Sequence, residues 1–265
     1  MSVRSTGCKL AAVRAALLAA ALLLSPAAAA AGGELAAIPQ GLSGEDALWR
    51  ECPLGDYAAD AVRQGSGAEI ALIPAGLLGA DLVGDGSVTE EEAAAVIGEN
   101  CAVIVYELTA PQLKILLEDG VSHLALNQRE TLDADASSYN GFLQLSGLTV
   151  TADATAPPGE RILTVTVGGE TLDPADGTET VTAAIPETLD PGVPGTRMEK
   201  SLRDMTVDAI AAQGTVEVPE DGRLRVIGAH ERDIIDVIPA GFLVPLLVVL
   251  AGGAVISKSR SRDAG

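Results

Sequence analysis

The stretch LSGEDALWRECPLGDYAADAVRQGSGAEIALIPAGLLGADL, residues 42–82, decides the fold. Ser43 is an N-cap ahead of acidic residues, apolar positions then recur at helical spacing, and Gly65, Ser66 and Gly67 stop the run. It reads as one long helix with a break near Pro53. AEIALI, residues 68–73, follows as a short buried strand. Pro74, Gly76 and Gly79 then form a turn with no charged or hydrogen-bonding side chain before Asp81. A Gly-rich turn after a short strand commonly holds a ligand. This one offers only backbone.

Downstream, Thr89 caps a second helix through EEEAAAVIG, residues 90–98. CAVIVYEL (101–108) is a β-rich run, and TAPQLKILLEDGVSHL (109–124) is a helix with Pro just inside its start. GFLQLSGLTVTAD (141–153), RILTVTVGG (161–169) and TETVTAAI (178–185) are strand candidates separated by Pro, Gly and Asp turns. A last helix near Ser201 to Gln213 and a strand GRLRVIG (222–228) close the domain. Mixed order of helices and strands argues for α+β or mixed α/β. There is no internal repeat.

Both ends differ in composition from this middle. Arg4, Lys9 and Arg14 precede an Ala/Leu-rich stretch that closes in Pro26 and small residues, the pattern of a secretory signal over 1–31, cleaved near Ala29 to Ala31. Cys8 leaves with it. VIPAGFLVPLLVVLAGGAVIS, residues 237–257, is uncharged and long enough to span a bilayer as a helix, and Lys258, Arg260 and Arg262 in the 258–265 tail keep that end cytoplasmic. Residues 32–43 lead into a domain over 44–228, and 229–236 link it to the membrane. The expectation is an exported, single-pass plasma membrane protein with its domain outside.

The chain carries 17 Lys and Arg against 37 Asp and Glu, a net charge of −20. Setting aside six cations and one anion at the two ends leaves 11 against 36 over residues 32–236, near −25. Such a surface repels nucleic acid, and no basic cluster offsets it. Aromatic residues are only 2% of the chain, so stacking platforms are scarce. Cys52 and Cys101 remain after export; a disulfide between them and two buried thiols are both open.

Several phrases together resemble one family, the 5'-nucleotidase C-terminal domain. ECPLGDYAADAVR (51–63) is similar to the family's E-[ST]-N-L-G-N-L-I-A-D-A-x-R, and GDGSVTEEEAAAVI (84–97) to G-x-I-T-x-x-D-x-x-x-V-x-P-F. VYELTAPQLKILLE (105–118), FLQLSGLTV (142–150), APPGERILTVTVGGETLDP (156–174) and QGTVEVPEDGRLRVIG (213–228) resemble later family segments in the same order. Each motif alone is weak. The colinear series over 44–228 is specific. The resemblance implies the α+β fold of that domain, which in most members follows a metallophosphoesterase domain.

In the family the turn after the first strand typically reads N-[SG]-G-G-[IA]-R, and its Asn and Arg reach the nucleotide. Here those places hold Pro74 and Gly79, with Gly76 retained. The resemblance further implies that a Phe of the base sandwich corresponds to Glu99, and that the second Phe and a ribose-contacting Asp correspond to Thr188 and Pro194. An amide, a guanidinium fork and two π-faces worth about 1–3 kcal/mol per stacked base are thereby replaced by groups that cannot perform those tasks. The nucleotide site is expected to be degenerate.

No catalytic residue or metal ligand is nominated. A dinuclear phosphoesterase needs motifs such as D-x-H and G-N-H-[DE], whereas this chain has only His123, at a helix end with a capping or surface role, and His230, in the linker. Asp81 to Glu92 approach an EF-hand loop, but Val83 occupies the third ligand place, and a turn capped by Thr89 explains the same letters. No cofactor is expected. The reading is a membrane-anchored, non-catalytic binding or structural module with an unidentified protein partner. The alternative is an accessory to a separate metallophosphoesterase chain.

Overall fold

The computed structural model describes residues 34–84, 86–219 and 222–228. The expected signal segment, linker, membrane-spanning segment and basic tail, with His230, lie outside the described residues. Among the described residues no helix is long and apolar enough to cross a membrane. The mixed α/β class is as expected.

Helix α1 (Pro53–Ser66) is shorter than the sequence reading. Residues 45–49 form turns instead, because Ser43 and Gly44 are tied to a distant residue: Ser43 Oγ and Gly44 N donate to the Asp81 carboxylate at 3.0 and 2.8 Å. The N-cap is Cys52, whose Sγ accepts from Gly55 N at 3.3 Å, and Pro53 occupies the first turn, where a missing N–H costs nothing. Gly67, at φ 72°, ends the helix in the left-handed conformation and donates its N–H to Arg63 O.

Strand β1 (Glu34–Ile38) pairs with β3 (Gly86–Thr89). The central sheet has the order β10-β4-β9-β2-β5, with β2 (Ile70–Pro74), β4 (Ala102–Thr109), β5 (Leu143–Ser146), β9 (Thr180–Pro186) and β10 (Gly195–Ser201). A second sheet has the order β11-β6-β7-β8, from β6 (Leu148–Asp153), β7 (Ile162–Val167), β8 (Glu170–Thr171) and β11 (Leu224–Ile227). The run 141–153, expected as one strand, is therefore two. Gly147 divides them at φ 80°, and a β-carbon there would lie 2.1 Å from Glu69 O, so the crossing between sheets requires glycine.

Alternation along β5 places helices on both faces. Gln144 and Ser146 meet α1, through Gly55 and Asp60, whereas Leu143 lies against Gly120 of α3 (Ala110–Gly120). Helix α5 (Leu202–Gln213) packs beside α1, Met205 against Gly65. A short α4 (Ala134–Ser137) precedes the 138–142 loop. Leu72, Ile73, Leu113, Phe142 and Ile185 are fully or almost fully buried in one continuous core.

Thr89 caps α2 (Glu90–Ala95) as expected, in a reciprocal box: Thr89 Oγ1 accepts from Glu92 N, and Glu92 accepts from Thr89 N at 2.8 Å. Asp81 and Glu92, the first and last residues of the EF-hand-like stretch, thus serve Ser43, Gly44 and Thr89; Asp85 lies outside the described residues. Thr89→Ala is expected to lower stability by about 1 kcal/mol, readable as a shift in the urea midpoint at unchanged slope.

Candidate functional site

Strands β2 and β9 are parallel, so their C-terminal ends share one sheet edge, and antiparallel β4 starts there, Val103 opposite Pro186. Loops beyond the strand ends at such an edge are the usual place for a binding site in mixed sheets. The six positions implied by the resemblance lie in these connections.

Pro74 ends β2 with its side chain buried and has Leu143 as its cross-strand partner. A single 3₁₀ turn, Ala75–Leu77, follows. Gly76 N donates to Asn140 O at 2.8 Å, and a β-carbon at 76 would sit 2.8 Å from the Asn140 β-carbon. Gly79 N and Ala80 N donate to Val96 O and Ala95 O, both at 2.8 Å. Gly98 N and Glu99 N in turn donate to Leu77 O at 2.9 and 3.4 Å. The turn is sewn to the end of α2. A β-carbon at Gly79 would stand 2.2 Å from Ala95 O and 2.8 Å from Gly98 N, which no real side chain tolerates without backbone movement. Pro74, Gly76, Gly79 and Glu99 are thus brought together, and Glu99 is exposed among them.

Thr188 and Pro194 are exposed on the loop between β9 and β10. That loop starts beside Ala102, whose carbonyl accepts from Glu187 N and whose N–H donates to the Glu187 carboxylate at 3.1 Å, and rejoins the sheet where Gly195 meets Tyr106. Glu187 is held below the usual carboxylate range, first by the Ala102 N–H and then by Arg197 at 2.6 Å. Arg203 of α5 spends its Nη2 on Ile97 O at 2.8 Å, and its buried Nε has no partner. Two cations at this edge are therefore occupied by protein groups.

Cys52 and Cys101 are free thiols in this structure. Cys52 is buried as the helix cap and Cys101 is half-buried. Burial pushes the Cys52 thiol up to about 11, and burial followed by the charges of Glu187 and Glu99 raises that of Cys101; neither is an activated nucleophile. His123 is exposed, as expected for a surface residue, with Nδ1 at 3.0 Å from Ser122 Oγ. No group of three or more His, Cys, Asp or Glu among the described residues is arranged to hold a metal.

Sequence reasoning missed a neighbouring patch. Tyr139 N donates to Leu48 O at 2.9 Å, which brings residues 48–50 next to Asn140 and hence to Gly76. Arg50 lies 4.9 Å from the Trp49 ring centroid and 3.2 Å from the Asp46 carboxylate. Tyr139 stacks on His123 with centroids 4.1 Å apart, and its hydroxyl donates to Asp119. In a chain with one Trp and three Tyr, their neighbourhood was the available signal. Spacing along the chain hid it, because 49 and 139 are far apart in sequence.

A family model described as 5'-nucleotidase, C-terminal domain, matches residues 28–182. No curated protein sequence matches the chain. Among solved structures, a 5'-nucleotidase precursor from Thermus thermophilus is similar at 26% identity and TM-score 0.62, covering 82% of this chain and 43% of that one. The sulfate thiohydrolase SoxB of Thermus thermophilus, in complex with glycerol, is similar in fold at 23% identity and TM-score 0.58, covering 84% and 40%. The NAD nucleotidase of Haemophilus influenzae shares the fold at 15% identity and TM-score 0.57, covering 73% and 38%. The chain spans about two fifths of the length of these relatives.

Proposed function

The chain belongs to the 5'-nucleotidase C-terminal domain family, and from that premise we propose that it is a membrane-anchored, extracytoplasmic form of the domain with a degenerate nucleotide site, acting as a non-catalytic binding or structural module. The observation that carries this reading is the backbone at Gly79. Its N–H is bonded to Val96 O, and the space a side chain would need belongs to Ala95 O and Gly98. An arginine at 79 has no room in this arrangement. Pro74, buried at the end of β2, supplies no amide in place of the family's Asn. Exposed Glu99 adds an anion where a nucleotide would bring more negative charge.

Calorimetry on the chain with adenosine, AMP and UDP-glucose tests the reading. No heat of binding at micromolar ligand and no AMP hydrolysis with added Mn²⁺ or Zn²⁺ are expected. Gly79→Arg is expected to destabilise the turn without creating affinity. Micromolar binding that survives in Gly79→Arg would overturn the degenerate-site reading, and quenching of the single Trp49 would then point to the 48–50 and 139–140 patch.

A second reading takes up the likeness to 5'-nucleotidases. In it the domain lends a substrate-facing wall to a separately encoded metallophosphoesterase. Co-purification of such a chain from solubilised membranes, with AMP hydrolysis dependent on both, is the result that would select it.

A further inference from the structure

The last described strand, β11, is fastened to α1 by a cluster of carboxylates around Arg223. Glu51, just before α1, accepts from three consecutive described N–H groups: Gly222 and Leu224 at 3.1 Å to Oε2, and Arg223 at 3.0 Å to Oε1. Arg223 reaches in the other direction. Its Nη1 and Nη2 lie 3.0 and 2.8 Å from the two Asp60 oxygens, and Nη1 also donates to Leu145 O at 2.7 Å and Asp56 O at 3.3 Å. Asp60 is further engaged by Ser146 Oγ at 2.5 Å, which accepts from Arg63 Nε.

Asp56 is the odd member. It is 1% exposed, and its Oδ1 has no hydrogen-bond partner, the nearest cation being Arg223 Nη1 at 3.8 Å. Three carboxylates, Glu51 from the pre-helix loop and Asp56 and Asp60 from α1, therefore face one guanidinium, that of Arg223 just before β11. Two full negative charges are already committed to holding the strand. A third inside this low-dielectric pocket has nothing left to pair with.

We propose that Glu51, Asp56, Asp60 and Arg223 form a pH-operated latch on the C-terminal strand: protonated Asp56 leaves Arg223 and Glu51 free to hold residues 222–227 against α1, and loss of that proton loosens them. Burial, then the charge and hydrogen bond of Glu51, push the Asp56 carboxyl up to about 8, and Arg223 opposes the shift without cancelling it. Since the closed-state value lies above the ordinary 3.8, the latch is firmest at acidic pH. It weakens as pH rises toward 8 and changes no further above it.

Hydrogen-exchange mass spectrometry on the full chain tests this, with β4 as internal reference for the intrinsic pH dependence of exchange. Protection of residues 222–227 relative to β4 is expected to fall by up to about tenfold per pH unit between about pH 5.5 and 8, then to level. Asp56→Asn should hold the strand at all these pH values and remove the slope. Parallel profiles for β11 and β4 in the unmodified chain, or a slope surviving in Asp56→Asn, would overturn the latch. Should that variant not fold, carboxyl NMR titration of Asp56 in the unmodified chain decides instead: a midpoint below about pH 5 overturns the proposal, and one near 8 supports it. Neither result depends on whether a nucleotide binds.

Discussion

Arg223→Ala is expected to destabilise the domain by about 3–5 kcal/mol. The Arg223 side chain is only 15% exposed, and it satisfies both Asp60 oxygens and two backbone carbonyls. Removing it leaves Glu51, Asp56 and Asp60 facing one another without a cation and leaves Leu145 O without its 2.7 Å donor. The cost comes chiefly from those uncompensated groups rather than from the worth of the ion pair itself. Urea unfolding at neutral pH would read it. Arg223→Lys should recover part of the loss, since an ammonium restores the charge but not the two-pronged grip on Asp60. A midpoint unchanged in Arg223→Ala would mean that solvent already screens the cluster.

Gln144→Ala is expected to cost about 3 kcal/mol, because one buried amide organises the whole entry to α1. Gln144 is 1% exposed. Its Oε1 accepts from Cys52 N at 3.1 Å, and its Nε2 donates to Ala47 O and Arg50 O, each at 2.9 Å. Truncation leaves these three backbone groups without their partner and opens a cavity against Gly55, whose lack of a side chain is what admits the amide. The loop it holds contains Trp49, the chain's one tryptophan. The loss of stability should therefore come with a red shift in fluorescence. A loss under about 1 kcal/mol with unchanged emission would show that the 45–51 turns hold themselves.

The elements that were readable in advance share a property: their signals are local. The Thr89 box needs only residues 89–92, and the β2 run and the Pro-started α3 also announce themselves within a few positions. The failures share the opposite one. Ser43 has the letters of an N-cap, yet its hydroxyl is oriented by Asp81, and the helix waits for Cys52. Strand β10, GTRMEKS, has no apolar alternation to read; it is a strand because β4 offers it hydrogen bonds at the sheet's exposed edge. The candidate site divides in the same way. Which side chains are missing at 74, 79 and 99 was legible from aligned motifs, but the absence of room at Gly79 and the approach of Trp49, Arg50 and Asn140 to Gly76 were not.

What the sequence determined by itself was the family, the order of its segments and the caps and turns whose partners lie within a turn of helix or one strand. Tertiary structure alone decided where helix α1 begins, how deeply Cys52 and Cys101 are buried, and that three carboxylates from residues 51–60 converge on Arg223, more than 160 positions away. The reason is physical: a cap or a strand period is an interaction between neighbours in the chain, whereas burial and charge depend on which distant segments the folded core brings to the same place.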